Sequence, residues 1–225
     1  MSKDANNDIS RDPAEDHAAA LAVVQFWLGP SVDGPEPAET RRAFWYHGGE
    51  AVDMAIRERF EHRLRQALAG ELDHWAHSAQ GALALVILLD QFTRNIYRST
   101  PQAYAGDPRA LGVAERSVQS GLHRQLPVTG RIFLYHPFHH AESLADQDRA
   151  VALVDAIRHD VDADWHDYLD RRVAGFARHR DIVARFGRFP HRNPILGRVS
   201  TPEEATYLAG DHESFGQGGR ATQTG

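Results

Sequence analysis

Cysteine is absent from the 225 residues. That excludes a disulfide frame, a thiolate metal site and a cysteine nucleophile, and it suits a reducing compartment. Long apolar runs are missing too. The longest, Ala82 to Leu89, falls far short of the roughly 20 residues that a membrane-spanning helix needs. The opening MSKDANNDISRDPAEDH is polar and acidic, with no apolar core of a secretory signal. The expectation is a soluble, cytoplasmic protein without a membrane partner.

Positive charge is not in excess. Asp and Glu number 31 against 25 Lys and Arg, for a formal net charge of -6, so nucleic acid is not the expected partner. There is no GxGxxG, no P-loop and no GxSxG, so the common nucleotide-binding and serine-hydrolase signatures are lacking. Strand signals are absent as well: no segment alternates apolar and polar residues over strand length. No cofactor is indicated, and no feature speaks to the oligomeric state.

What is present reads as helix. With 42% hydrophobic and 25% charged residues the balance is that of a folded chain. Asp12-Pro13 is a cap followed by proline at a first helical position, and the helix it opens runs through Leu21, Val24 and Leu28 to a stop at Gly29-Pro30. A Pro/Gly-rich connection, SVDGPEPAET, leads to the aromatic cluster Phe44-Trp45-Tyr46 and to Gly48-Gly49. Ile56, Phe60, Leu64 and Leu68 form an i, i+4 row on the next helix. A helix from about Ser78 to Ile96 is apolar nearly all round, which predicts a central, buried element.

Asp107-Pro108 repeats the cap-proline signal, and Gly121 suits a helix end. Residues 129 to 158 read as helical with a kink or break at Pro137. A long helix from about Ala163 to Phe186 carries Trp165, Leu169, Val173, Phe176, Val183 and Phe186 on one side, and Thr201-Pro202-Glu203-Glu204 is a capping box. The prediction is an all-α fold of about eight helices without a sheet, spanning residues 13–210, with polar tails at 1–12 and 211–225 that are too poor in apolar residues to fold.

Three groups of polar residues stand in apolar or stiffened surroundings. Asp90 and Arg94 lie four apart on the buried helix and face the same way. They form either a structural bridge or a bridge that leaves an arginine edge for an anionic ligand. His136-Pro137-Phe138-His139-His140-Ala141-Glu142 holds three imidazoles and a carboxylate. Its spacing does not match a metal motif, and Pro137 disturbs the alignment of His136 with His140, so no metal is expected. Finally, Phe186 to Arg198 combines three arginines, His191 and Asn193 with two prolines that stiffen the backbone. Such a loop either binds a carboxylate or phosphate or caps neighbouring helices.

These motifs carry a resemblance. Val24-Gln25-Phe26-Trp27, LLDQFTRNIYRSTPQAYAGD, FLYHPFHHAESLADQ and RFGRFPHRNPILGRVSTPEEATYLAG, over about Leu21 to Gly210, identify the chain as a member of the bacterial DUF924 family, a domain of unknown function. The resemblance implies a tetratricopeptide-like α/α superhelical array and no established activity. It also leads one to expect apolar or bulky residues where this chain has His136 and His139.

Two functions follow as expectations. The first is a pocket for a small anionic molecule, bearing phosphate or carboxylate, lined by Asp90, Arg94, Asn95, Glu142, Arg192 and Asn193. If the pocket is catalytic, His140 or His191 is the acid or base. The second is a peptide- or protein-binding module without enzymatic activity, on the analogy of tetratricopeptide-like grooves.

Overall fold

The computed structural model describes residues 12–210. The predicted tail at 211–225, and residues 1–11 of the one predicted at 1–12, lie outside the described residues. Within them the fold is all-α, with no strand. The helices are α1 (Pro13–Leu28), α2 (Pro35–His47), α3 (Gly49–Ala69), α4 (Ala79–Val86), α5 (Thr93–Ile96), α6 (Asp107–Gln119), α7 (Val128–His140), α8 (Leu144–Ala156), α9 (His166–Phe186) and α10 (Pro202–Ala209). α4 and α5 are joined by a π-helical stretch, Ile87–Phe92, into one continuous rod, so nine rods stand where about eight were expected.

Several boundaries follow from local chemistry. The Asp12 carboxylate accepts from the Ala14 N–H at 2.9 Å and caps α1. Ser78 caps α4 by accepting from Gly81 N. Thr201 and Glu204 form a reciprocal capping box at α10. Gly187, in the left-handed region at φ 69°, ends α9.

Three expectations are corrected. The connection SVDGPEPAET is helical from Pro35 onward. Prolines in a first turn lack only N–H groups that would have no helical partner there, so Pro35 and Pro37 open the helix rather than prevent it. The reading of 129–158 as one segment gives way to two helices. Pro137 sits inside α7, the break falls later, at residues 141–143, and Ser143 caps α8. Lastly, Asp107 does not cap α6. Gly106 occupies that position, and the Asp107 side chain turns to Arg94.

The α4–α5 rod is the axis of the core. From Ala82 to Asp90 each of its residues is buried, and it packs against α1, α3, α6 and α7. Trp27, Phe92 and Phe133 meet edge to face beside it, with centroids 5.6 Å apart, a geometry favoured by the ring quadrupoles. The start of α6 presses on this rod because residue 106 is glycine. A Cβ there would lie 2.1 Å from the Leu89 carbonyl oxygen. That close approach sets Asp107 beside Arg94.

Candidate functional site

The π-helical stretch places Asp90 in the interior, with 0% of its surface exposed. The widened turn disturbs the helical hydrogen bonding, and side chains take up the carbonyls. Thr93 Oγ1 donates to Leu89 O at 2.8 Å, and an Arg94 terminal nitrogen donates to Asp90 O at 2.7 Å. π-Helical insertions of this kind recur at functional sites.

Asp90 is the centre of a network. Its Oδ1 accepts from Arg94 at 3.1 Å and lies 2.7 Å from Nδ1 of His140, while its Oδ2 accepts from Gln91. Arg94 also donates to both oxygens of Asp107, at 2.8 and 2.9 Å. Burial works against the charge on Arg94, but Asp107 and Asp90 outweigh it and raise its pKa. The terminal nitrogens of Arg94 are thus engaged by two carboxylates.

His140 closes α7. Arg192 donates to its carbonyl at 3.0 Å, and Gln147, from α8, donates to the carbonyls of His139 and Ala141 at 2.6 and 2.8 Å. These bonds satisfy carbonyls that a helix C-terminus leaves open. Burial, then the charges of Arg94 and neighbouring groups, hold the His140 imidazole well below its ordinary pKa.

His140 lines a cleft of about 490 Å³ bounded by α2, α3, the α4–α5 rod, α7 and α9. The floor is apolar and aromatic: Trp27, Phe44, Trp45, Ile132 and Phe176. His136, His139 and His179 stand among these rings. His136 stacks on Phe133 at 4.7 Å and His139 on Phe176 at 4.0 Å. Burial, first of all, pushes all three imidazoles to lower pKa values. Among the described residues, no group of three His, Asp or Glu is arranged to hold a metal ion.

The walls are cationic. Arg42, Arg94, Arg98, Arg171, Arg172 and Arg178 line the cleft, and no described Asp or Glu does. Carboxylates stand behind some of them: Glu39 pairs with Arg42 and Arg171, and Asp53 with Arg98 at 2.8 Å. The Nε of Arg172 is buried without a hydrogen-bond partner. Gly48 and Gly49, at the start of α3, complete the rim.

The predicted residues therefore divide. Arg94, Asn95 and His140 line the cleft, Asn95 being held by Asp53 at 2.7 Å, and Asp90 lies directly behind His140. Glu142, His191, Arg192 and Asn193 are not in the lining. They belong to a cluster behind α7. Glu142 accepts from Arg198 at 2.6 and 2.9 Å and from Phe189 N at 2.8 Å. These bonds, against the opposing effect of burial, keep its pKa low. Asn193 donates to Ser200 and Glu204. Arg192, 7% exposed, lies over the rings of Tyr104 and Phe189 at 4.9 and 4.4 Å, and His191 is buried beside Phe189.

Sequence reasoning missed Asp107, Arg42 and the arginines of α9. A signal existed for the last. Arg171, Gly175 and Arg178, and likewise Arg172, Phe176 and His179, recur at i, i+4, i+7, the spacing of a helical stripe.

No functionally curated protein matches the chain. A solved structure, described as a protein of unknown function, ATU0120, from Agrobacterium tumefaciens, is similar at 38% identity with a TM-score of 0.71, over 85% of this chain and 97% of that one. The family profile described as bacterial protein of unknown function, DUF924, matches residues 23–211. With that match covering most of its length, the chain belongs to the DUF924 family.

Proposed function

We propose that the cleft binds a small organic anion, with its phosphate or carboxylate among the arginines and its apolar or aromatic part on the floor formed by Trp45 and Phe176. The observation that carries this is the lining itself: six arginines and no described carboxylate. Cations turned toward one cavity repel one another, and an anion relieves that repulsion while meeting donors in fork geometry. The volume of about 490 Å³ suits a metabolite-sized ligand.

The peptide-binding alternative rests on the family resemblance and on the packing of successive helices, α7 on α8 and α8 on α9, as in tetratricopeptide-like arrays. The surface lends it less support. Of the exposed large apolar side chains Val32, Tyr46, Met54, Leu144, Leu196 and Val199, only Tyr46 lines the cleft.

The test is a thermal-shift series with inorganic phosphate, pyrophosphate, citrate and benzoate at matched ionic strength. At least one of these anions is expected to raise the Tm of the wild-type protein and not that of Arg172→Ala. Equal, null responses from both proteins to all four would defeat the reading.

A further inference from the structure

We propose that Asp90 and His140 form a proton-accepting dyad, in which Nε2 of His140 is the base that acts on the anion held in the cleft. The inference rests on the anion-binding reading for its substrate class, an organic phosphate or carboxylate with a reactive hydroxyl or water beside it. The geometry of the dyad stands by itself.

A carboxylate accepts and does not donate, so the 2.7 Å contact between Nδ1 of His140 and Asp90 Oδ1 places the ring hydrogen on Nδ1. Nε2 then carries the lone pair. Among the described residues no group hydrogen-bonds Nε2, and the His140 side chain, 15% exposed, lines the cleft. The carboxylate is fully buried and fixed by Arg94 and Gln91, and the backbone of His140 is fixed by Arg192. Two other imidazoles of the floor use Nδ1 differently. Nδ1 of His136 contacts Ile132 O, and Nδ1 of His179 contacts Gly175 O, each one turn back along its own helix. Those are packing bonds of a helix interior.

In the step proposed, the Nε2 lone pair forms an N–H bond while the O–H bond of a bound water or ligand hydroxyl breaks. The electron pair stays on that oxygen, and the resulting imidazolium is stabilised by Asp90. Burial and the charges of Arg94 and Arg192 near the ring disfavour this protonation. An anion among the arginines offsets their charge and makes the imidazole more basic. The base is thus strengthened when the ligand arrives.

Bromoacetate, a carboxylate that alkylates imidazole, tests the proposal on the full-length protein. Nε2 forms a bond to carbon, the C–Br bond breaks and bromide leaves. Peptide mass spectrometry at neutral pH should show His140 carboxymethylated at least about tenfold faster than His47, an exposed histidine at the same cleft. Bromoacetate should outpace neutral bromoacetamide, and inorganic phosphate should protect. Asp90→Asn, checked for folding by circular dichroism, should lose most of the His140 rate. If His140 reacts no faster than His47 with either reagent in the wild-type protein, the dyad is overturned. If the two reagents react equally fast at His140 and phosphate gives no protection, the anion-binding reading fails while the dyad stands.

Discussion

The cleft and the cluster behind α7 are built from the same residue types and differ in how their charges are matched. In the cluster each arginine–glutamate contact closes on itself. Glu142 takes both terminal nitrogens of Arg198. Glu204, 2% exposed, takes Arg188 at 2.6 and 2.7 Å and the Thr201 N–H at 2.8 Å, and these contacts, Arg188 foremost, hold its pKa at about 2. In the cleft the arginines face a shared space that no described carboxylate enters. Matched charges spend their hydrogen-bonding capacity on the fold. In the cleft the carboxylates stand behind the wall, as Glu39 does for Arg42 and Asp53 for Arg98, and the excess of positive charge on the cavity side is what an anion from outside would meet.

Asp90 holds the His140 ring, whose carbonyl Arg192 of the cluster binds, and its removal should have the largest effect. Asp90→Ala leaves Arg94, Gln91 and His140 without their shared acceptor. We expect a loss of about 3 kcal/mol, the low end for a broken buried pair because Asp107 still holds Arg94. Denaturant melts that show less than about 1 kcal/mol would mean that water reaches the network.

Glu204→Ala should cost about 2–3 kcal/mol, since it removes a capping box and the acceptor of Arg188 and Asn193 together. Arg172→Ala should cost no more than about 1 kcal/mol, since the contact it loses is a half-buried cation–π stack on Tyr168, yet weaken phosphate binding in calorimetry by about tenfold. A reversal of these two results, with Arg172 stabilising and Glu204 dispensable, would break the comparison.

Acid should act through the cleft floor as well. His139, His140 and His179 are held well below the ordinary imidazole value of 6.5, by burial above all. The unfolded chain then binds more protons than the folded one as pH falls from 6.5 toward the depressed values. Stability contributed by these neutral imidazoles is full above pH 6.5 and lost on the way down. Urea midpoints measured from pH 7.5 to 5 should fall, and they should fall less in His139→Phe, where an apolar ring replaces a buried imidazole. Equal slopes in both proteins would remove His139 from the account.

Much of the helical frame was readable residue by residue. Asp12, Ser78 and Thr201 announce helix starts through side chains that bond nearby N–H groups, and Gly187 ends α9 through a conformation that other residues avoid. The row Ile56, Phe60, Leu64 located α3, and the apolar run after Ser78 located the central rod. Reading stopped at features that depend on neighbours. α2 starts at a proline that looks like a connection, and nothing local distinguishes the π-helical stretch from ordinary helix.

The site divides along the same line. Asp90, Arg94 and His140 stood out because charged or titratable groups in apolar surroundings need partners, and burial alone makes that demand visible. Arg171 and Arg172 did not, because their i, i+4, i+7 stripe marks a shared helix face without telling whether that face meets bulk water or a cavity. Asp107 looked like a helix cap, and only the close approach of Gly106 to Leu89 turned it toward Arg94. By itself the sequence determined the helices, their caps and the demand for partners, because these follow from interactions within a few residues. Only the tertiary structure decided which demands are met inside the fold and which face the cleft, because that depends on where distant segments meet.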